Sequence, residues 1–274
     1  MQPSKADLRI FSYAANPRLW KASIAARLKG VNVDVIGAPV DELYDWLWDF
    51  DARPMDDTDR YAMRELLRPA RRGLANGMLY KTEAFLDAHP FGTIPAAFSP
   101  DGAIGIFESN SIMRLVARLA VGPVQLVGNG PYERSRVDSF LDASLVFSHD
   151  LQRYMLALRA GRIDIQLHSW AKQALESYLS GIERTLRPGR SYLVGNAISI
   201  ADICFVCEFA IISNEQLFES VLSLSGLHSI VRRELASIYP LAFQHFSKLC
   251  RHPAFIPDLV AYQSKFRSPP FSHN

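Results

Sequence analysis

The chain has 274 residues, 49% hydrophobic and 21% charged, enough to bury a sizeable core in one large or two ordinary domains. A formal net charge of +2 excludes the broad electrostatic footprint of a nucleic-acid binder. No apolar run approaches the about 20 residues of a membrane span, and the opening MQPSKADLRIF carries no signal segment. Three cysteines, an odd number, make no disulfide framework, so a reducing cytoplasm is the expected compartment.

In chain order, Leu8 to Ser12 reads as a strand that breaks at Tyr13 to Pro17. Trp20 to Leu28 has helical spacing and stops at Lys29-Gly30. Val31 to Ile36 alternates and is β-branched, which predicts a second strand and a βαβ unit. Residues 41–76 interrupt this pattern with an acidic, aromatic half and a basic half that carries Arg64, Arg68, Arg71 and Arg72. Pro54 and Pro69 cut the segment into short pieces, predicted helical, on an insertion whose charges read as a solvated face. A short helix is expected from Lys81 to Ala88. A hairpin follows, with strands from Pro95 to Phe98 and Ile104 to Phe107 about an Asp101-Gly102 turn. The helix Glu108 to Leu119 closes a first domain over 1–120. Gly122 to Pro131 reads as a linker, and 131–274 as an all-helical domain with no convincing strand.

Three motifs lie at element boundaries. His89 to Pro95 joins a helix to a strand. Pro95 has no N–H and suits a strand start, in an ordinary Pro-Gly loop or in a cis turn. The cis form turns the N–H and C=O of Ile94 outward together, where they can pair with the main chain of a bound peptide. Phe107-Glu108-Ser109-Asn110 lies where a strand becomes a helix. Ser109 and the free N–H groups can accept a carboxylate, and Glu108 an ammonium, or both residues can simply cap the helix. Ser199-Ile200-Ala201-Asp202 is a capping pattern that seeds a buried helix, Ile200 to Ile212, with Ile198 stapled onto Ile203. Cys204 and Cys207 lie within that apolar helix, not at an exposed helix start after a strand, so they read as core, and Cys250 is similarly unsupported. The seven histidines show no metal-ligand spacing, so no metal is expected.

These pieces in this order resemble the cytosolic glutathione transferases over nearly the whole chain outside 41–76. The specific part is P-x-G-x-I-P followed by the E-S helix start, strengthened by the S-I-A-D box. Within that family the strings Asn16-Pro17-Arg18-Leu19-Trp20-Lys21-Ala22, Lys81-Thr82-Glu83-Ala84-Phe85-Leu86 and Phe107 to Ile112 are similar to the transferase-like domain of the gamma subunit of elongation factor 1B, and to related fungal and bacterial enzymes. The run Tyr239 to Phe255 resembles that family's last long helix. The resemblance implies a thioredoxin-like α/β N-terminal domain, an all-α C-terminal domain, glutathione as co-substrate, and a homodimer or a heterodimer with a related subunit.

It also implies a site. Ile94, with Pro95, pairs with the glutathione backbone. Glu108 and Ser109 hold its γ-glutamyl end, and Lys81 is a weaker candidate for the glycyl carboxylate. Asn16 stands where many members carry the catalytic serine. Asparagine is no base, but its N–H can donate to a thiolate, and with the first helix's N-terminus it lowers a thiol pKa of about 8.5. Tyr13 and Arg18 are nearby candidates for second roles, or for packing and solvation. His89 replaces the family's usual asparagine before Pro90.

Two functions from different classes remain. One is a glutathione transferase acting on a hydrophobic electrophile. The insertion's Tyr44, Trp46, Trp48 and Phe50 either bury the insertion or form a lid. As a lid they favour an aromatic substrate and, most specifically, glutathione-dependent β-aryl ether cleavage. The other is a non-catalytic docking module. The chain closes on a Ser/Pro tail at Asn274, so the elongation factor's further C-terminal domain is expected to be absent, which weighs against docking.

Overall fold

The computed structural model describes residues 6–70, 77–120, 124–187 and 189–266. The chain divides into two compact units, Met1–Gly122 and Pro123–Asn274.

The first unit opens with β1 (Leu8–Phe11), α1 (Pro17–Lys29) and β2 (Val33–Ile36). β1 and β2 run parallel, with Leu8 opposite Val33 and Phe11 opposite Ile36, as a βαβ crossover requires. Asn16 accepts from Arg18 N–H as the N-cap of α1, and Pro17 takes the first helical position, where a missing N–H costs nothing. The helix stops at Gly30, which sits at φ 69°, a left-handed cap that glycine adopts without a Cβ penalty.

The next segment differs from the expected short helices. Besides 3-10 turns at Leu43–Asp45 and Arg64–Leu66 and one α-helix, α2 (Asp57–Ala62), it contains β3 (Trp46–Trp48), β4 (Arg53–Pro54) and β5 (Leu67–Pro69), and is followed by β6 (Met78–Lys81). These strands make a second four-stranded sheet in the order β4-β3-β6-β5, with β3 and β6 parallel. Lys81 therefore ends a strand. The next helix, α3 (Glu83–Ala88), starts two residues later behind a Thr82 cap. The insertion's opposite charges pair largely with one another: Arg53 grips Asp59 with two bonds of 2.6 and 2.9 Å, and Arg60 reaches Asp45 at 3.3 Å. Arg68 pairs with Glu83 at 2.6 Å, and the Arg64 guanidinium lies over Tyr61. Arg71 and Arg72 lie outside the described residues.

The unit closes with β7 (Ala96–Phe98), β8 (Gly105–Ile106) and α4 (Ser109–Leu119). The first sheet has the order β2-β1-β7-β8, with β7 antiparallel to both neighbours. This is the thioredoxin-like arrangement. The two sheets share one core: Phe11, Phe85, Ala96 and Phe98 pack with Leu43, Trp48 and Leu79 of the inserted region. Trp48 meets both Phe11 and Phe85 edge-on, Trp46 stacks on Phe11, and Phe50 meets Phe98 edge-on. The insertion's aromatic residues are thus packing for its own sheet, and the lid reading is set aside.

Among its described residues the second unit has helices and no strand. It contains α5 (Pro131–Arg159), α6 (Ile165–Leu186), α7 (Ile200–Ile212), α8 (Glu219–Leu224), α9 (Glu234–Ile238), α10 (Pro240–Cys250) and α11 (Ile256–Gln263). α7 lies at the centre, with nearly every side chain buried, and opens with the reciprocal Ser199/Asp202 capping box. Cys204 and Cys207 are buried in it, as core residues are. The run expected to form the last long helix instead stops at Cys250, and α11 follows it.

Candidate functional site

The topology brings three boundary motifs to one end of the first sheet. β1 runs antiparallel to β7 with Phe11 opposite Ala96, so the turn after β1 lies beside the start of β7. β7 pairs with β8 as Ala97 opposite Ile106, so the residues before β7 lie beside those after β8. Asn16, the Ile94–Pro95 step and Glu108-Ser109 therefore share this end. Two side-chain contacts join them further. The Phe91 ring meets the Phe107 ring at 5.4 Å, and Lys21 of α1 reaches Ser109 and Asn110 of α4.

The Ile94–Pro95 bond is cis. Ile94 is half-buried on the rim of the shared core. Glu108 has φ 65°, the positive value that a non-glycine residue rarely adopts. Such a conformation costs on the order of 1–3 kcal/mol and persists where the surroundings fix it, often at ligand sites. Glu108 is exposed and its side chain makes no capping bond, while Ser109 opens α4 behind it. The positive end of that helix's dipole favours an anion.

Asn16 is 5% exposed and already engaged. Its Oδ1 accepts from Arg18 N–H at 3.0 Å, and its Nδ2 donates to Ser12 Oγ at 3.2 Å. One Nδ2 proton is left to meet a thiolate. The cap role follows from the Asn-Pro dipeptide at a helix start. Tyr13 and Arg18 flank Asn16 and are half-buried.

Lys81 is only 3% exposed, and its ammonium donates to the Gly92 carbonyl at 2.7 Å. Its ammonium is thus turned onto the loop backbone. His89 is buried between Phe85 and Phe98, with ring centroids 5.2 and 4.6 Å away. Burial lowers its pKa to about 4, against a smaller opposing influence of the Ala97 main chain. Neither ring nitrogen has a hydrogen bond of good geometry.

Lys21 was missed by sequence reasoning. It is fully buried, donates to Asn110 Oδ1 at 2.8 Å and lies 3.4 Å from Ser109 Oγ. The available signal was a lysine one turn from Pro17 and Ala25, on the buried stripe of α1.

Among the described residues no group of three or more His, Cys, Asp or Glu is arranged to hold a metal, and no helix is long and apolar enough to cross a membrane.

Residues 164–253 match the family model "Glutathione S-transferase, C-terminal domain". The chain is 27% identical over 202 residues to a probable elongation factor 1-gamma 1 of Arabidopsis thaliana, which covers 72% of this chain and 44% of that protein. It thus spans less than half the length of that relative. It is 31% identical over 132 residues to glutathione S-transferase F9 of the same plant, covering 45% of this chain and 60% of the relative. A glutathione S-transferase from Methylobacillus flagellatus KT, solved with GSH bound, superposes with a TM-score of 0.59 at 15% identity, over 92% of this chain and 98% of that one. The helical unit thus matches the glutathione S-transferase C-terminal domain over 164–253, and the chain shares its fold with solved glutathione S-transferases.

Proposed function

We propose that the first unit binds glutathione along the end of its first sheet and activates the thiol for attack on a hydrophobic electrophile. Ile94, in the cis step with Pro95, pairs with the cysteinyl main chain. Glu108 receives the γ-glutamyl ammonium, and Ser109 with the α4 N–H groups receives its carboxylate. The observation that carries this reading is Glu108 at φ 65°, exposed beside a helix start and across from Ile94. Asn16 donates its remaining Nδ2 proton to the sulfur. A donor together with the α1 dipole stabilises the thiolate, and each pKa unit gained is about 1.4 kcal/mol. The thiolate then displaces a leaving group from carbon, giving a thioether.

The narrower expectation of β-aryl ether cleavage rested on an aromatic lid. Trp46, Trp48 and Phe50 pack into the shared core, which takes that support away. A hydrophobic small molecule is the class proposed, in a cytoplasmic protein that pairs with itself or a related subunit.

A second reading is favoured by a specific observation. The elongation-factor relatives match this chain, and the Asn16 side chain already serves as a helix cap bonded to Ser12. On that reading the fold is a docking platform without turnover.

One experiment separates them. Purified protein is titrated with glutathione and assayed with an activated aryl halide, as wild type and as Asn16→Ala. The transferase reading expects turnover to fall in the variant by about tenfold or more, while glutathione affinity changes less. Equal turnover removes Asn16 from the mechanism. No binding at millimolar glutathione favours the docking platform.

A further inference from the structure

A side chain of the second sheet reaches the loop that carries Ile94. Lys81 ends β6, and its register partner on β3 is Trp48. The Lys81 ammonium lies 4.8 Å from the centroid of the Trp48 ring and donates to the Gly92 carbonyl. Gly92 sits at φ 57°, and a Cβ placed there would come within 3.0 Å of Lys81 Nζ. The backbone of the loop thus lies directly against the ammonium. The Gly92 N–H closes the turn onto the His89 carbonyl at 2.7 Å, two residues before Ile94. A buried ammonium is tolerated only where polar or aromatic partners replace water, and here a loop carbonyl and an indole face do so. An ammonium enclosed in this way is held by the loop and the sheet.

We propose that Lys81 is a positioning residue. It ties the second sheet to the His89–Pro95 loop, and so fixes Ile94 for the ligand without touching the ligand. The sheet built from 46–81 then has a function: it buttresses a binding loop. This inference rests on the glutathione reading above, and it replaces the expectation that Lys81 meets the glycyl carboxylate.

The two roles are separable with a ligand whose glycyl carboxylate is blocked. Glutathione and its glycyl monoethyl ester are titrated calorimetrically into the full chain as wild type, Lys81→Met and Lys81→Gln. Positioning predicts that Lys81→Met weakens both ligands equally, by about tenfold, the loss expected for one charge-assisted hydrogen bond. Lys81→Gln weakens both equally and less. A loss that appears with glutathione and vanishes with the ester makes Lys81 a direct carboxylate ligand and overturns the proposal. So does a variant that melts at a lower temperature yet binds both ligands as tightly as wild type. The ratio of the two losses decides the matter in whichever variant folds. A wild type that binds neither ligand overturns the glutathione reading itself, and this proposal with it.

Discussion

At the residue scale, the buried His89 ring makes a pH-dependent prediction. In the folded chain its pKa is lowered to about 4, chiefly by burial, against an ordinary value of 6.5. The unfolded chain therefore binds the proton first as pH falls. Stability from this group is fully present above pH 6.5 and is lost as pH drops toward 4, by on the order of 3 kcal/mol. Urea midpoints of the wild type should fall through that window. His89→Leu has no proton to bind and fills the box between Phe85 and Phe98 with apolar atoms, so its midpoints should fall less. Equal slopes for the two proteins would show that His89 is not the group responsible.

Residue roles were legible where a position is set by its neighbours in sequence. Pro95 as a strand start allowed either a loop or the cis step that is found, and the Glu108-Ser109 helix start follows from the strand that ends before it. Lys21 and Lys81 were not legible as buried groups. Lys21 meets Ser109 across 88 positions, and the worth of each ammonium depends on an acceptor brought from another element.

At the element scale, α7 shows what a local signal can fix. Its bounds match those expected, Ile200 to Ile212, because the cap, the staple and the apolar run are contiguous. The structure adds how much rests on one carboxylate. Asp202 accepts from Ser199 N–H at 2.8 Å, Leu193 N–H at 2.9 Å and His245 Nε2 at 2.8 Å, all buried. Asp202→Ala leaves these donors without an acceptor and should cost about 3–5 kcal/mol in denaturant unfolding. Ser199→Ala removes one cap hydroxyl and should cost about 1 kcal/mol. Equal costs would mean that Asp202 acts only as a cap and does not tie α10 to α7. The second sheet is the opposite case. Its strands are two to four residues long, and Trp48 pairs with Lys81 over a long stretch of chain. Two prolines and paired charges made that stretch read as helical fragments, since short strands declare themselves only through partners that the sequence does not place beside them.

At the scale of the whole molecule, all of the residues proposed to hold glutathione lie in the first unit, and the second contributes none of them. Ligand binding to the folded state stabilises by mass action, about 2.7 kcal/mol at a hundredfold excess over Kd. For a unfolding unit of this size that is a rise of about 5–10 °C in Tm. Trp20, Trp46 and Trp48 report on the first unit and Trp170 on the second, so fluorescence together with calorimetry shows which transition moves. Should the units melt separately, only the first shifts; should they melt together, the single transition shifts. Cysteinylglycine keeps the thiol and the glycyl end but lacks the γ-glutamyl head assigned to Glu108 and Ser109. It should leave Tm unchanged at the same concentration. An equal shift with both compounds would remove Glu108 and Ser109 from the site, because the head group they are proposed to hold would then contribute nothing to binding.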